Sequence, residues 1–484
     1  MNRSLIGYIL GHILNIEAIL LLLPCTVAVI YQEPEGLTYL SVAALCGLFG
    51  LALSWRKPQL KIFYLKDGCA ATALSWIFLS LFGSLPFFLT GEIPSYIDAL
   101  FETISGFTTT GASILSDVET LSHCSLIWRS FTHWIGGMGV LVFLLAILPP
   151  SDGSHMNLMR AESPGPSVGK LVPKLRTTAR ILYLIYFSLT VLEFALLIAG
   201  KMPVFDALAT SFGTAGTGGF GIKNSSIGGY SVYIQWVVTI FMILFGVNFN
   251  AYYFILFRKF RKAFAMEEVR YYLIIIATSI AIIFFELWNT SMNVFEAFTH
   301  SSFQVASIIT TTGFSTIDFN SWSQACKTVL VLLMFVGACA GSTGGGIKVS
   351  RFVILIKTVS KELGSYIHPK SVKKIKMDKK PVEHEVVRSV NVYFITFMII
   401  FSASVFLISL EGKDLITNFT AVAATINNIG PGLELVGPTQ NFGNFQVFSK
   451  IILMFDMLAG RLELFPLLIL FHPSFHKDFF YRKK

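Results

Sequence analysis

Four short polar stretches in an otherwise apolar chain carry the oxygen atoms that could do chemistry. The clearest is Thr310-Thr311-Thr312-Gly313-Phe314-Ser315, between the apolar run Phe295 to Ile309 and a second, longer apolar run. Related stretches are Thr108-Thr109-Thr110-Gly111-Ala112-Ser113, Thr217-Gly218-Gly219-Phe220-Gly221 and the divergent Asn427-Asn428-Ile429-Gly430-Pro431-Gly432. Irregular backbone facing lipid leaves its amides unpaired. A Thr/Gly strand at membrane depth must therefore be buried in protein or line a water-filled path. Rings of backbone carbonyls that replace an ion's water shell need such residues. Glycine turns those carbonyls inward at φ values closed to other residues. The candidate ion ligands are thus Thr109, Thr110 and Gly111, then Thr217, Gly218 and Gly219, then Thr311, Thr312 and Gly313, and finally Asn428, Ile429 and Gly430. Hard cations prefer oxygen ligands. No carboxylate lies in these stretches, which points to a monovalent ion held weakly enough to leave again.

The elements that position these stretches repeat with them. Asp98-Ala99-Leu100 precedes Gly111 by 13 residues (111 − 98), as Asp206-Ala207-Leu208 precedes Gly219 (219 − 206). Glu296-Ala297-Phe298 precedes Gly313 by 17 (313 − 296), one helical turn more. Successive glycines lie 108, 94 and 117 residues apart (219 − 111, 313 − 219, 430 − 313), so the repeat is domain-sized. Each stretch follows an apolar helix too short to cross a bilayer, at 98–107, 205–214, 295–309 and 414–426. These half-helices enter from outside and turn back, aiming their negative C-terminal ends at the membrane centre, which suits a cation. Each begins near an acid: Asp98, Asp206, Glu296 or Asp414. These read as N-caps, and as an acidic outer vestibule that concentrates cations.

The expected fold class is an all-α polytopic membrane protein. It has four tandem helix–pore half-helix–filter–helix repeats around one pore, plus two extra N-terminal transmembrane helices. The boundaries fall at 1–66 for the N-terminal pair (spans 5–30 and 37–55), then 67–177, 178–269, 270–387 and 388–484 for the repeats. Within these, long spans are expected at 68–90, 178–199, 271–290 and 389–410 before the half-helices, and at 124–148, 230–257, 325–356 and 444–471 after them. Composition agrees: of 484 residues 54% are hydrophobic and 13% charged, with mean hydropathy +0.67. A soluble protein carries roughly 25% charge. The run Ile6 to Ile30 is too long for a cleaved signal peptide and reads as a retained helix. The net charge of +9 is divided among short connections, with basic clusters at Arg56 to Lys66, Arg160 to Arg180, Arg258 to Arg270, Lys348 to Arg388 and Tyr481 to Lys484. That division excludes a nucleic-acid surface. It places these connections and both termini in the cytoplasm of a multi-pass protein of the cell inner membrane. The six cysteines show no metal-ligand spacing. No convergent His, Asp, Ser or Cys set marks an enzyme. His123, His133, His300 and His384 read as structural or solvated, and Glu193 and Glu286 as helix–helix hydrogen-bonding groups.

Two further features interrupt apolar helices. Gly337 to Gly346 places Gly341, Ser342, Thr343, Gly344, Gly345 and Gly346 midway along a long helix, which so many glycines should break. It is not a phosphate loop, because Ile347 separates Gly346 from Lys348 and no strand precedes it. A break at that depth lines the path beneath the Thr/Gly stretches. Arg461 lies in the apolar run Ile451 to Phe471 with Asp456 and Glu463. Such a charge faces a cavity or a partner: either it forms an ion pair with one of those acids, or its positive charge opposes cation passage.

With four filter glycines, the N-terminal helix pair, Ala161-Glu162-Ser163-Pro164-Gly165-Pro166 and the Asn-Asn-Ile-Gly-Pro-Gly stretch, the chain resembles the Trk/Ktr/HKT superfamily of potassium-translocating proteins, in its TrkH-type branch. The resemblance covers essentially the whole chain. It implies potassium uptake through a gated pore, with potassium as substrate at the filter residues. It assigns Gly341 to Gly346 as an intramembrane gating loop and Gly460-Arg461-Leu462-Glu463 as carrying a pore arginine. It implies a homodimer and a cytosolic TrkA-type regulatory ring, with ATP/ADP or NAD bound on that partner. Glycine at position 111, where some plant relatives carry serine and pass sodium, points to potassium. The glycine-rich second stretch and Asp456 depart from the family pattern. A sodium- or proton-coupled symporter on the same scaffold is the alternative, although coupled carriers usually use inverted repeats.

Overall fold

A computed structural model of the chain describes residues 2–56, 64–139, 175–290, 292–370, 374–473 and 475. The Ala161 to Pro166 motif, the expected helix beyond Gly139 and the basic tail from Tyr481 lie outside the described residues. Among the described residues the regular structure is helical apart from one hairpin of two two-residue strands, Lys376–Met377 paired with Lys380–Pro381. Among the described residues six helices are long and apolar enough to cross a membrane: Arg3–Tyr31, Glu35–Ser54, Leu65–Leu89, Ala179–Ala199, Glu267–Asn289 and His384–Ser409. A seventh span results if the bent pair Val232–Phe245 and Phe249–Leu256 is counted as one. These helices bury only one stripe and turn residues such as Ile274, Ile282, Phe285 and Ile399 outward. Their lengths match a bilayer's hydrocarbon core.

Small residues set the closest helix approaches. A Cβ on Gly11 would lie 2.8 Å from the Gly50 carbonyl oxygen, so the two N-terminal helices touch backbone to backbone. Gly137 does the same for helix His123–Met138, where a Cβ would sit 2.7 Å from Gly216 Cα.

The four short helices are Tyr96–Phe107, Val204–Gly216, Val294–Ile309 and Leu415–Ile426. They are far more buried than the long ones; every residue from Ala421 to Ile426 is buried. Only Asp414 caps its helix, accepting from Thr417 N at 2.8 Å. Ser95 and Asn293 cap two of the others, and Asp98, Asp206 and Glu296 sit one turn in, still at the dipole's positive end.

The helices after the Thr/Gly segments stop partway, where continuous spans were expected at 124–148, 230–257 and 444–471. His123–Met138 ends at Gly139. Val232–Phe245 turns by 93° before Phe249–Leu256, with the Asn248 side chain capping the new start. Gln324–Val336 gives way to the Gly337 to Lys348 loop before Val349–Ile367. Val447–Arg461 ends ahead of Glu463 and Leu464, both at positive φ, and of Pro466. All six cysteines are free thiols.

Candidate functional site

The backbone of the four Thr/Gly segments is the same although their sequences differ. Each short helix ends with one residue in the left-handed region: Thr109 (φ 56°), Thr217 (54°), Thr311 (58°) and Asn428 (55°). The next amide reaches back five residues: Thr110 N to Ser105 O (2.8 Å), Gly218 N to Gly213 O (2.9 Å), Thr312 N to Ser307 O (2.8 Å) and Ile429 N to Ala424 O (2.8 Å). This is a Schellman ending, which usually takes glycine at the left-handed position. A threonine there costs about 1–2 kcal/mol, strain of the kind held at functional sites by surrounding structure. A second left-handed residue follows, and here it is glycine each time: Gly111 (78°), Gly219 (76°), Gly313 (87°) and Gly430 (100°).

These glycines meet in a ring. A Cβ on Gly111 would overlap the Gly218 carbonyl oxygen, one on Gly219 that of Thr312, and one on Gly313 that of Ile429. On Gly430 it would lie 2.8 Å from the Thr110 oxygen, closing the circle in chain order. The structure thus brings the candidate residues Thr109 to Gly111, Thr217 to Gly219, Thr311 to Gly313 and Asn428 to Gly430 together. All four glycines line one solvent-open cavity above the ring.

That cavity is not the acidic vestibule anticipated from Asp98, Asp206, Glu296 and Asp414. Its lining includes Arg129 and Lys223 and, among the described residues, no carboxylate. Asp98 is paired with Lys450 at 2.6 Å. Asp206 accepts from the Tyr230 hydroxyl at 2.8 Å and faces Lys223 at 3.9 Å. Counter-ions thus meet two of the four helix-start acids, Asp98 and Asp206.

Beneath the ring lies the Gly337 to Lys348 loop. Gly345 N donates to Thr311 Oγ1 at 2.6 Å, and a Cβ on Gly345 would sit 2.6 Å from Asn427 O. Thr343 N donates to Phe245 O at 3.4 Å and Cys339 N to Gly246 O at 3.0 Å. Both shoulders hang on one carboxylate: Glu268 accepts from Ala340 N (2.6 Å), Ser350 N (3.2 Å) and Asn248 Nδ2 (3.2 Å). Lys348, only 2% exposed, donates back to Gly344 O. Gly341, Ser342, Thr343, Gly344 and Gly346 thus share one packed turn with Gly345.

Arg461, the last residue of helix Val447–Arg461, packs against this turn. It donates to Thr343 O at 2.9 Å, Gly137 O at 2.8 Å and Gly136 O. The two acids considered as its ion-pair partners are engaged elsewhere: Glu463 by Arg351, and Asp456 by the Ser404 hydroxyl at 2.8 Å. Glu286 accepts from the hydroxyl of Ser323, the N-cap of helix Gln324–Val336, at 3.2 Å, as a hydrogen bond between helices.

Sequence reasoning missed the braces. Arg129 pairs with Glu102 at 2.8 Å and donates to Gly221 O at 3.1 Å, while Glu102 accepts from Ser113 Oγ (3.0 Å) and Ile114 N (3.0 Å). This buried pair ties the outer edge of the first segment to the second. An acid and a base within apolar helices were the available signal. Glu268 and Lys348 gave the same signal beside the glycine-rich loop.

A predominantly helical fold with several apolar spans, in which four short helices bring their Thr/Gly segments into one ring, is the frame of a membrane transport protein. Among the described residues no group of His, Cys, Asp and Glu could hold a metal ion. Residues 39–483 match the TrkH family of cation transport proteins. The chain is 35% identical over 99% of its length to the Trk system potassium uptake protein TrkH of Salmonella typhimurium, covering all of that protein. The TrkH of Escherichia coli K12 gives the same values. The crystal structure of the potassium transporter TrkH from Vibrio parahaemolyticus superposes with a TM-score of 0.88 at 32% identity, covering 98% of this chain and 100% of that one. The chain belongs to the TrkH family.

Proposed function

We propose that the chain is the membrane subunit of a bacterial Trk-type potassium uptake system and conducts potassium through the ring of four Thr/Gly segments. The closed circle of left-handed glycines, each against the next segment's carbonyl, carries this reading. Schellman bonds engage the last carbonyls of the short helices, so the strand carbonyls beyond them are available to an ion. On this reading the four segments with their flanking helices are four repeats about one pore, and the N-terminal pair stands outside them. The half-helix C-termini add negative potential below the ring, which supports a cation path. The Gly341 to Gly346 turn, held by Glu268, Lys348 and Arg461, is the closed gate. The buried Lys348 and the partly buried Arg461 beneath the ring oppose a cation until the turn moves.

The gate has a handle. The segment after it folds back through its hairpin, and Asp378 Oδ1 accepts from Glu267 N at 2.7 Å, next to the Glu268 clamp. Lys357 pairs with Glu267 and donates to Lys376 O at 2.7 Å. A cytosolic regulatory ring binding ATP, ADP or NAD would pull here. The basic connections on this side support its lying in the cytoplasm. A homodimer follows from family likeness. Expression in bacteria lacking their own potassium uptake tests the function. The wild-type chain restores growth at low potassium, and failure of a well-expressed, membrane-inserted chain to do so refutes it.

A further inference from the structure

The second Thr/Gly segment is built differently, and one side chain accounts for it. In the first and third segments a pair of hydroxyls braces the strand: Thr108 Oγ1 to Thr110 Oγ1 at 2.8 Å, and Thr310 Oγ1 to Thr312 Oγ1 at 2.7 Å. These positions lie three and one residues before the ring glycine (111 − 3 and 111 − 1; 313 − 3 and 313 − 1). The same offsets in the second segment give Gly216 and Gly218 (219 − 3 and 219 − 1), so that brace is absent.

His133 occupies the space. A Cβ on Gly218 would overlap the His133 ring, and one on Gly216 would overlap its backbone carbonyl. The imidazole is wholly buried, 0% exposed, and lies on Phe220 with ring centroids 4.3 Å apart. Its hydrogen bonds fix its tautomer. Nδ1 stands 2.8 Å from Gly106 O, and a carbonyl only accepts, so Nδ1 carries the proton. Nε2 then presents its lone pair and accepts from Phe220 N at 3.2 Å. Phe220 directly follows the ring glycine Gly219.

We propose that His133 is a positioning residue for ion selectivity. Its neutral ring replaces the missing hydroxyl brace and fixes the Gly218–Gly219–Phe220 backbone to the first repeat. This inference rests on the reading of the ring as the ion path. The glycines of the second segment are therefore not slack in the selectivity device. They are the clearance a rigid imidazole requires, and the ring returns the stiffness that glycine removes.

The test is cation flux in liposomes at matched amounts of folded protein. His133→Gln retains an acceptor near Nε2 and so the Phe220 bond. His133→Asn retains a donor near Nδ1 and so the Gly106 bond. His133→Phe retains bulk and neither bond. The expected result is a potassium-to-sodium flux ratio close to wild type in His133→Gln and about fivefold lower in His133→Asn and His133→Phe, the factor worth one hydrogen bond. A purely structural role would move protein yield and melting together and leave the ratio alone; an unchanged ratio in His133→Phe overturns the proposal. If the variants do not fold, nitrogen-15 NMR of the wild-type protein decides. The His133-Trp134 pair occurs once in the chain and assigns the signal. A proton on Nδ1 supports the strut, and a proton on Nε2 overturns it. Absence of any potassium preference in the wild-type protein would instead refute the ion-path reading itself.

Discussion

At the scale of residues, the site is a set of backbone conformations that side chains permit or forbid. Gly313 is one case: it stands at φ 87° against the Ile429 carbonyl. Gly313→Ala adds both left-handed strain and an overlap with the Ile429 carbonyl oxygen. Potassium flux is expected to fall at least tenfold while the protein still reaches the membrane, measured as rubidium uptake against surface-labelled protein. Arg461 acts in the opposite sense. Its bonds to Thr343 O in the turn and to Gly136 O and Gly137 O in helix His123–Met138 would, on the proposed reading, hold the turn shut, and each charged hydrogen bond is worth about 1.5–3 kcal/mol. Arg461→Gln is expected to raise basal flux roughly tenfold or more; unchanged flux in purified protein would remove it from the gate. The ring residues were legible in the sequence because Thr and Gly have no other business in an apolar chain. His133 was not, since one histidine on an apolar helix carries no spacing signal. The pairing of Asp98 was hidden for a related reason: sequence shows where a carboxylate sits on its helix, not that Lys450 waits 352 residues away (450 − 98).

Among elements, the short helices and the breaks opposite them do the positioning. The short helices were plain from length and from the polar stretch that ends each one. The glycine-rich loop was equally plain, because ten residues with five glycines cannot stay helical. The other breaks were not. Gly246 is an isolated glycine that a helix tolerates, and the 93° turn depends on Asn248 capping a new start and on Glu268 receiving that side chain. Glu268 is thus shared by two broken helices. Glu268→Ala removes acceptors from Ala340, Ser350 and Asn248 at once and leaves buried donors unpaired, at about 1–3 kcal/mol each. The expected outcome is faster protease or hydrogen exchange across residues 337–348 and a raised basal flux. Protection identical to wild type would show that the turn stands without its clamp.

On the scale of the whole molecule, the N-terminal pair is fastened to the first repeat by Glu33, in the connection between its two spans. Glu33 accepts from His123 N at 2.8 Å and Cys124 N at 3.0 Å, and lies 2.8 Å from His123 Nδ1. Burial alone would raise this carboxyl, but the amide and imidazole donors outweigh it and hold it below the usual carboxylate range. A depressed folded value contributes stability that is present above the unfolded value, about 4.3, and is lost as pH falls through the folded one. The melting difference between wild type and Glu33→Gln should therefore be largest near neutrality and shrink below about pH 4. Equal differences at both pH values would rule out the ionised contact. The fourfold order was visible from the spacing of four glycines. An arrangement about one axis was expected with it; which carbonyl each glycine meets was not legible, because only three dimensions bring Gly430 back to Thr110.

The most direct measurement of the central claim is ion flux in liposomes holding only this protein, wild type and Arg461→Gln, under potassium, rubidium and sodium gradients with the proton gradient clamped. A potassium path through the ring predicts downhill potassium and rubidium flux well above sodium, larger in Arg461→Gln and independent of protons. Potassium movement only when sodium or protons move with it would contradict that account and make the chain a coupled carrier.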